Sequence, residues 1–428
     1  MMKIVFSIFL LVFEVASEEN PTQATTIDLD IPVTSPQQSS ASTPESSLSL
    51  YSMRSVSRES LCDNILPGLN LITRGIDLTR LDLAHDYVID DKDGFTENLF
   101  DFTCRKHRKI QIDGKNYDIP DQILAIKQNE FDPETFEDLP VHLFDDWRKL
   151  KDHFARALGL GESALKGWFS ESGSMSYYQK ILVNSTSLVM MAEASVPVLT
   201  VTMSPRGALR RSLNDVMSDY LSKDLPNSYE DDPERYLDFL RSYGTHYFKS
   251  GTLGGSIKFW TQVAKYPLRN RTSEYLIKNA KSVYYNVLEN RGAPSDPSFR
   301  NTSSDEIFQK HSKSSYRPFG GEESLLETDG FMSWKESLLE KPFIIDGRLE
   351  SITTLIREEG KRIQMQKALS IYTGLSYLEE SKRVLDSYLV ILPQKVKENI
   401  QFLMKRIDAF QQLDVPNWET LKKIMDEL

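Results

Sequence analysis

Cysteine is nearly absent: the 428 residues hold two, Cys62 and Cys104. That excludes a module stapled by several bridges and leaves too few thiolates for a structural zinc site. Long apolar runs are also missing. Beyond the N-terminus none approaches the roughly 18 residues of a spanning helix, and no apolar tail suited to a lipid anchor is expected. Positive charge is in deficit, with 51 Lys and Arg against 62 Asp and Glu and a formal net charge of -11. This argues against a nucleic-acid-binding face and against membrane capture by diffuse electrostatics. The patterns His-Glu-x-x-His, Gly-x-Ser-x-Gly and the phosphate-binding loop do not occur. No catalytic, metal or cofactor residue is therefore assigned, and the chain is expected not to be an enzyme. The acidic stretch Asp90-Asp91-Lys92-Asp93-Gly94 fails as a calcium loop, because Ile89 and Phe100 occupy the first and twelfth ligand positions.

What is present begins at the N-terminus. Lys3, the apolar run from Ile4 to Phe13 and the small residues Val15-Ala16-Ser17 predict a signal peptide over 1–17 and a secreted, extracellular protein. Residues 18–58 are rich in Ser, Thr, Pro and Gln and are expected to form a disordered leader. In an oxidising compartment Cys62 and Cys104 are expected to pair, closing a loop of about forty residues worth about 3–4 kcal/mol on the chain-entropy estimate. Sequons at Asn184, Asn270 and Asn301 predict a glycoprotein.

The most informative stretch is Tyr243-Gly244-Thr245-His246-Tyr247, followed after six residues by Gly254-Gly255. Upstream, Tyr236, Phe239, Leu240 and Tyr243 recur at helical spacing. Gly244 stands where a helix end wants a left-handed residue. Tyr247, Phe248, Ile257, Phe259 and Trp260 then suit a half-buried strand. Paired glycines inside such a strand allow a sharp bend or the close approach of another backbone. His246 invites a catalytic reading, but no Ser or Cys nucleophile motif accompanies it, so a structural place is expected.

The pattern resembles the signature of the membrane-attack-complex/perforin family: aromatic, Gly, Thr or Ser, His, aromatic, six residues, Gly-Gly. The resemblance implies an α+β fold in which a bent, twisted antiparallel sheet is flanked by helical clusters, here over residues 60–358. The family opens its domain with a Gly-x-Asp segment, matched by Gly75-Ile76-Asp77 within an expected strand from Leu71 to Thr79. It closes the domain with a Trp, a Pro and an apolar run, matched by Trp334, Pro342 and Ile344-Ile345.

Further elements follow from periodicity. Gln111–Ile126 reads as a strand region, and Phe144–Gly167 carries Trp147, Leu150, Phe154, Leu158 and Leu165 at helical spacing, with charged residues between them. Ile181–Met203 reads as strand, where Pro197 marks an edge, a bulge or a break. Leu209–Leu225 reads as a helix with Leu213, Val216, Tyr220 and Leu221 on one face. Residues 359–428 keep a helical period and form a separate helical region. Many relatives place a cysteine-rich module there, which this chain cannot build.

The resemblance further implies that Phe144–Gln179 and Pro267–Pro318 are the clusters that unwind into amphipathic hairpins, and that a ring of subunits closes a barrel. Closure is required because an open sheet edge in hydrocarbon leaves backbone groups unpaired. The expected function is a secreted pore-forming effector in toxin or immune defence, membrane-associated when active. Its partners would be target membrane lipid and further copies of itself, with no nucleic acid. An extracellular protein partner through the C-terminal helices is a further option, although those helices are expected to lie outside the part that rearranges. The alternative is a non-lytic extracellular protein of signalling or matrix, similar to the insect Torso-like protein.

Overall fold

The computed structural model describes residues 62–82, 94–161, 167–183, 186–300, 302–389, 392–413 and 415–428. The expected signal peptide and leader, the sequons at Asn184 and Asn301 and the acidic stretch 90–93 lie outside these residues. Residues 59–425 form one compact unit.

The fold is α+β, built on an antiparallel sheet. Its strands are β1 (Arg74–Ile76), β2 (Phe95–Asn98), β5 (Ile123–Gln128), β6 (Val141–Phe144), β7 (Ser187–Met203), β8 (His246–Ala264), β9 (Ser312–Phe319) and β10 (Phe343–Ser351), while β3 (Lys109–Ile112) and β4 (Lys115–Asp118) form a separate hairpin. Strands β7 and β8 are the long axis, paired from Ser187 opposite Ala264 to Thr202 opposite Ser250, with a register shift between Pro197 and Leu199. Their neighbours change along their length. β8 pairs with β1 and β10 near His246, and with β9 from Ser256 onward. β7 pairs with β5 over Leu199–Met203 and with β6 over Val189–Ala192.

Both faces of the long hairpin are covered. On one lie α1 (Trp147–Ala157) and α2 (Gly173–Val183); on the other lies α4 (Ser273–Asn290), with α5 (Phe331–Ser337) beside it. Helix α3 (Pro233–Tyr243) leads into β8, and α6 (Glu359–Leu389), α7 (Gln394–Gln411) and α8 (Trp418–Glu427) follow the sheet. Helix α4 starts where Thr272 Oγ1 accepts from Tyr275 N at 3.2 Å. Its buried Leu276, Ala280, Tyr284 and Leu288 form an i, i+4 stripe that packs with Met190, Ala192, Ile257 and Phe259.

Several expectations need correcting. The expected strand Leu71–Thr79 is only three residues long, since Leu69–Ile72 form a helical turn before β1. Gln111–Ile126 is a hairpin and a further strand, turned at Asp113 and Gly114, both with positive φ. Ile181–Val183 end α2 rather than begin β7. Leu209–Leu225 is not one helix but two short turns and a π-turn, in which Met217 is buried and Val216 is 71% exposed. The residues after Gly254 are not half-buried, because β8 faces packed helices on both sides. The expected boundary at 358 does not set the C-terminal helices apart. Tyr372 of α6 donates to Asp77 Oδ2 at 2.7 Å, and Glu380 pairs with Lys151. Among the described residues no helix is long and apolar enough to cross a membrane. The cysteines are bonded, Cys62 to Cys104.

Candidate functional site

The Tyr243–Tyr247 stretch splices a helix to the sheet. Helix α3 begins at Asp232, whose carboxylate accepts from Arg235 N at 3.3 Å, and it buries Tyr236, Phe239, Leu240 and Tyr243. Gly244 then adopts φ 80°, ψ −179°. This is not the left-handed cap expected but a conformation essentially restricted to glycine. A side chain there would also meet the Ile76 backbone at 2.6 Å.

Thr245 is fully buried; its hydroxyl donates to the Ile76 carbonyl at 3.0 Å and accepts from Leu78 N at 3.0 Å. The same oxygen is left to accept from His246 Nδ1, also at 3.0 Å. The His246 ring meets the edge of Trp168 at 5.7 Å, and burial drops its pKa to about 3. Tyr247 donates to Glu350 Oε2 at 2.6 Å. These residues therefore pin β1 and β10 to the start of β8, and His246 has a structural place.

Gly254 and Gly255 sit where the partner of β8 changes. Phe343 of β10 lies opposite Gly254, and Phe319 of β9 lies opposite Ser256. Across the other edge, β7 carries a bulge between Pro197 and Leu199. A Cβ on Gly254 would come within 2.1 Å of the Val196 carbonyl, and one on Gly255 within 2.3 Å of Leu338 and 2.7 Å of Trp334. Trp334 Nε1 also donates to the Gly320 carbonyl at 2.9 Å. The pair thus admits a neighbouring backbone on one side and an indole on the other.

Beyond the glycines, β8 alternates between two covers, as successive residues of a strand must. Trp260 stacks on Tyr178 at 4.5 Å and meets Phe154 at 6.3 Å, and Gln262 meets Tyr177, all in the 144–179 segment. Phe259 stacks on Tyr284 at 4.8 Å, and Thr261 bonds the Tyr284 hydroxyl at 2.8 Å, both contacts to α4.

The connectivity is equally specific. Strands β6, β7, β8 and β9 lie side by side. Phe144 opposite Val189, Ser187 opposite Ala264 and Val263 opposite Ser312 bring four strand ends to one end of the sheet. Residues 145–186 join β6 to β7, and 265–311 join β8 to β9. Each is far longer than the roughly 20 residues that two crossing strands need. The segments predicted as Phe144–Gln179 and Pro267–Pro318 are corrected accordingly. Phe144 is already in β6, α2 runs to Val183, and Ser312–Pro318 already belong to β9.

Sequence reasoning missed what holds the first segment. Lys151 of α1 lies 2.8 Å from Glu380 of α6, with side chains 3% and 2% exposed. Ser376 donates to Glu171 at 2.9 Å and Arg383 to the Ser170 carbonyl. Helix α6 therefore contacts the first covering segment directly.

Beneath α1, the rings of His142 and His153 stand 4.4 Å apart. Burial lowers the pKa of both, His153 to about 4, with His142 and Lys258 adding repulsion. Folded His142, His153 and His246 thus resist protonation, whereas the unfolded chain takes up protons near pH 6.5. The unfolded state binds more protons below that pH, so stability falls as pH drops from about 6.5 toward 4. Asp77, whose pKa is raised by burial, acts in the opposite direction. Thermal melting should show a midpoint falling from pH 7 to pH 5, with a shallower fall in His153→Gln; a flat profile would contradict it.

A family model described as the MAC/Perforin domain matches residues 65–381. The Perivitellin-2 67 kDa subunit of Pomacea canaliculata is 27% identical over 313 residues, covering 73% of this chain and 53% of that protein. Its counterpart in Pomacea maculata is 26% identical over the same shares. The chain thus spans about half the length of these curated relatives. Among solved structures, GNIP1Aa from Chromobacterium piscinae is similar in fold, with TM-score 0.54 and 16% identity over 75% of this chain and 57% of that one.

Proposed function

Because the chain belongs to the MAC/Perforin domain family, we propose that it is a secreted, non-enzymatic pore-forming effector that assembles into a ring on a target membrane. The observation that carries this reading is the placement of both covering segments. Each joins two adjacent antiparallel strands, at one shared end of the sheet. Extended, 145–186 and 265–311 would continue β6 through β9 as two hairpins, with every backbone group paired except at the outer edges. Neighbouring copies would pair those edges and close a barrel. The covers also bury side chains on both faces of β7 and β8, so their release requires a new partner for either the sheet or the helices.

Dye release from liposomes, with negative-stain imaging of the same vesicles, tests the proposal. Leakage with ring-shaped particles is expected. Protein that stays monomeric and leaves vesicles intact across lipid compositions would sink the pore reading and favour the non-lytic alternative. That alternative draws support from the buried Lys151–Glu380 pair, which holds the first segment in place.

A further inference from the structure

The loop leaving β8 concentrates positive charge that the chain as a whole lacks. Lys265, Arg269 and Arg271 fall within seven residues. Lys310, His311 and Lys313 are brought beside them, because Ala264 N donates to the His311 carbonyl at 2.9 Å and β9 starts opposite Val263. Buried Leu268 anchors the loop, while Tyr266 projects with 74% of its surface exposed. The Arg269 guanidinium lies 4.7 Å over the Tyr266 ring, and Arg271 lies 4.8 Å over Tyr275. Lys265, Arg269, Lys310 and Lys313 have no ion-pair partner among the described residues. Of the carboxylates in the same stretches, Glu274, Asp305 and Glu306, Asp305 is engaged by the Tyr275 hydroxyl at 2.7 Å.

We propose that this strand-end cluster docks the protein on a bilayer bearing anionic headgroups, with Tyr266 entering the interface. The net charge of -11 does not oppose this, because charges more than about 8 Å away are screened at physiological salt. An exposed aromatic ring stacked by arginine offers an apolar body and a cationic rim, the combination that settles at headgroup level. The cluster shares its end of the sheet with the strand ends at Phe144, Ser187, Ala264 and Ser312. Docking there would face both covering segments toward the lipid. The purpose of the contact rests on the pore reading; the contact itself does not.

Asn270 is exposed between Arg269 and Arg271. A glycan there would stand between the cluster and the membrane, so the test uses full-length protein carrying Asn270→Gln. Binding is measured by co-sedimentation with vesicles of phosphatidylcholine, alone or with phosphatidylserine. Binding should require phosphatidylserine and weaken with salt. Each basic residue near an anionic surface is worth about five-fold. The combined Lys265→Gln, Arg269→Gln, Lys313→Gln variant should therefore bind about 100-fold more weakly, and Tyr266→Ser should also lose affinity. Removing the same charge at the exposed Lys395, Lys422 and Lys423 should change little. Equal binding to both vesicles, or equal loss in the two triple variants, would overturn the proposal. Leakage measured in parallel separates the two readings. Cluster-dependent binding without leakage removes the pore reading alone, and leakage indifferent to the cluster removes the docking site alone.

Discussion

Replacing Glu380 by Ala is expected to lower the unfolding free energy by about 3–5 kcal/mol, because it strands a buried ammonium. Lys151 Nζ sits 2.9 and 2.8 Å from the two Glu380 oxygens, and 5.2 Å from the Trp147 ring. Burial already pushes the Lys151 pKa down while Glu380 pulls it up. Without the carboxylate, Lys151 must lose its proton, draw in water or leave the core, and each costs stability. The same argument predicts rescue. Lys151→Met combined with Glu380→Leu removes both charges and should recover most of the loss, since a buried pair replaced by well-packed apolar groups is often neutral. Denaturant unfolding of the single and double variants checks this. A loss below about 1 kcal/mol for Glu380→Ala would mean that Lys151 is not held as described.

The ion pair also marks where the sequence stops being readable. Lys151 stood among the charged spacers between Trp147, Leu150 and Phe154, which assigns it to the solvent side, and its partner is 229 residues away. No local periodicity can report such a pair. The signature behaved differently, because distant contacts there demand glycines at one fixed local spacing. Gly244 and Gly254 are glycines owing to backbones that pass close by, and Gly255 owing to the Leu338 and Trp334 side chains, while their spacing is fixed by one helix end and one strand. Even so, the spacing did not reveal that β8 changes partner at the pair. The two-sided burial of β7 and β8 was obscured for another reason: a strand covered on both faces loses the alternation that identifies strands. Finally, a net charge averages over the chain, so a basic loop of seven residues vanished into a total of -11.

Linking the first covering segment to the sheet is expected to abolish leakage while leaving membrane binding intact. Cysteines at Tyr177 and Gln262, whose side chains meet at 3.4 Å, can be bridged by a short reducible bis-maleimide. This holds α2 on β8 without requiring the geometry of a direct disulfide. If 145–186 must extend into a hairpin, the bridged protein binds vesicles but releases no dye, and reductant restores release to the level of unmodified protein treated identically. That control matters because the reductant also reaches the Cys62–Cys104 bond. A second bridge, from α1 to α6, should have the same effect. Helix α6 is tied to the body through Tyr372 and Asp77 and to the first segment through Glu380, so a segment fastened to it cannot leave. Leakage that persists through both bridges would make 145–186 a permanent cover of the sheet. The second segment would then carry insertion alone, and the four-strand continuation of β6 through β9 would have to be abandoned.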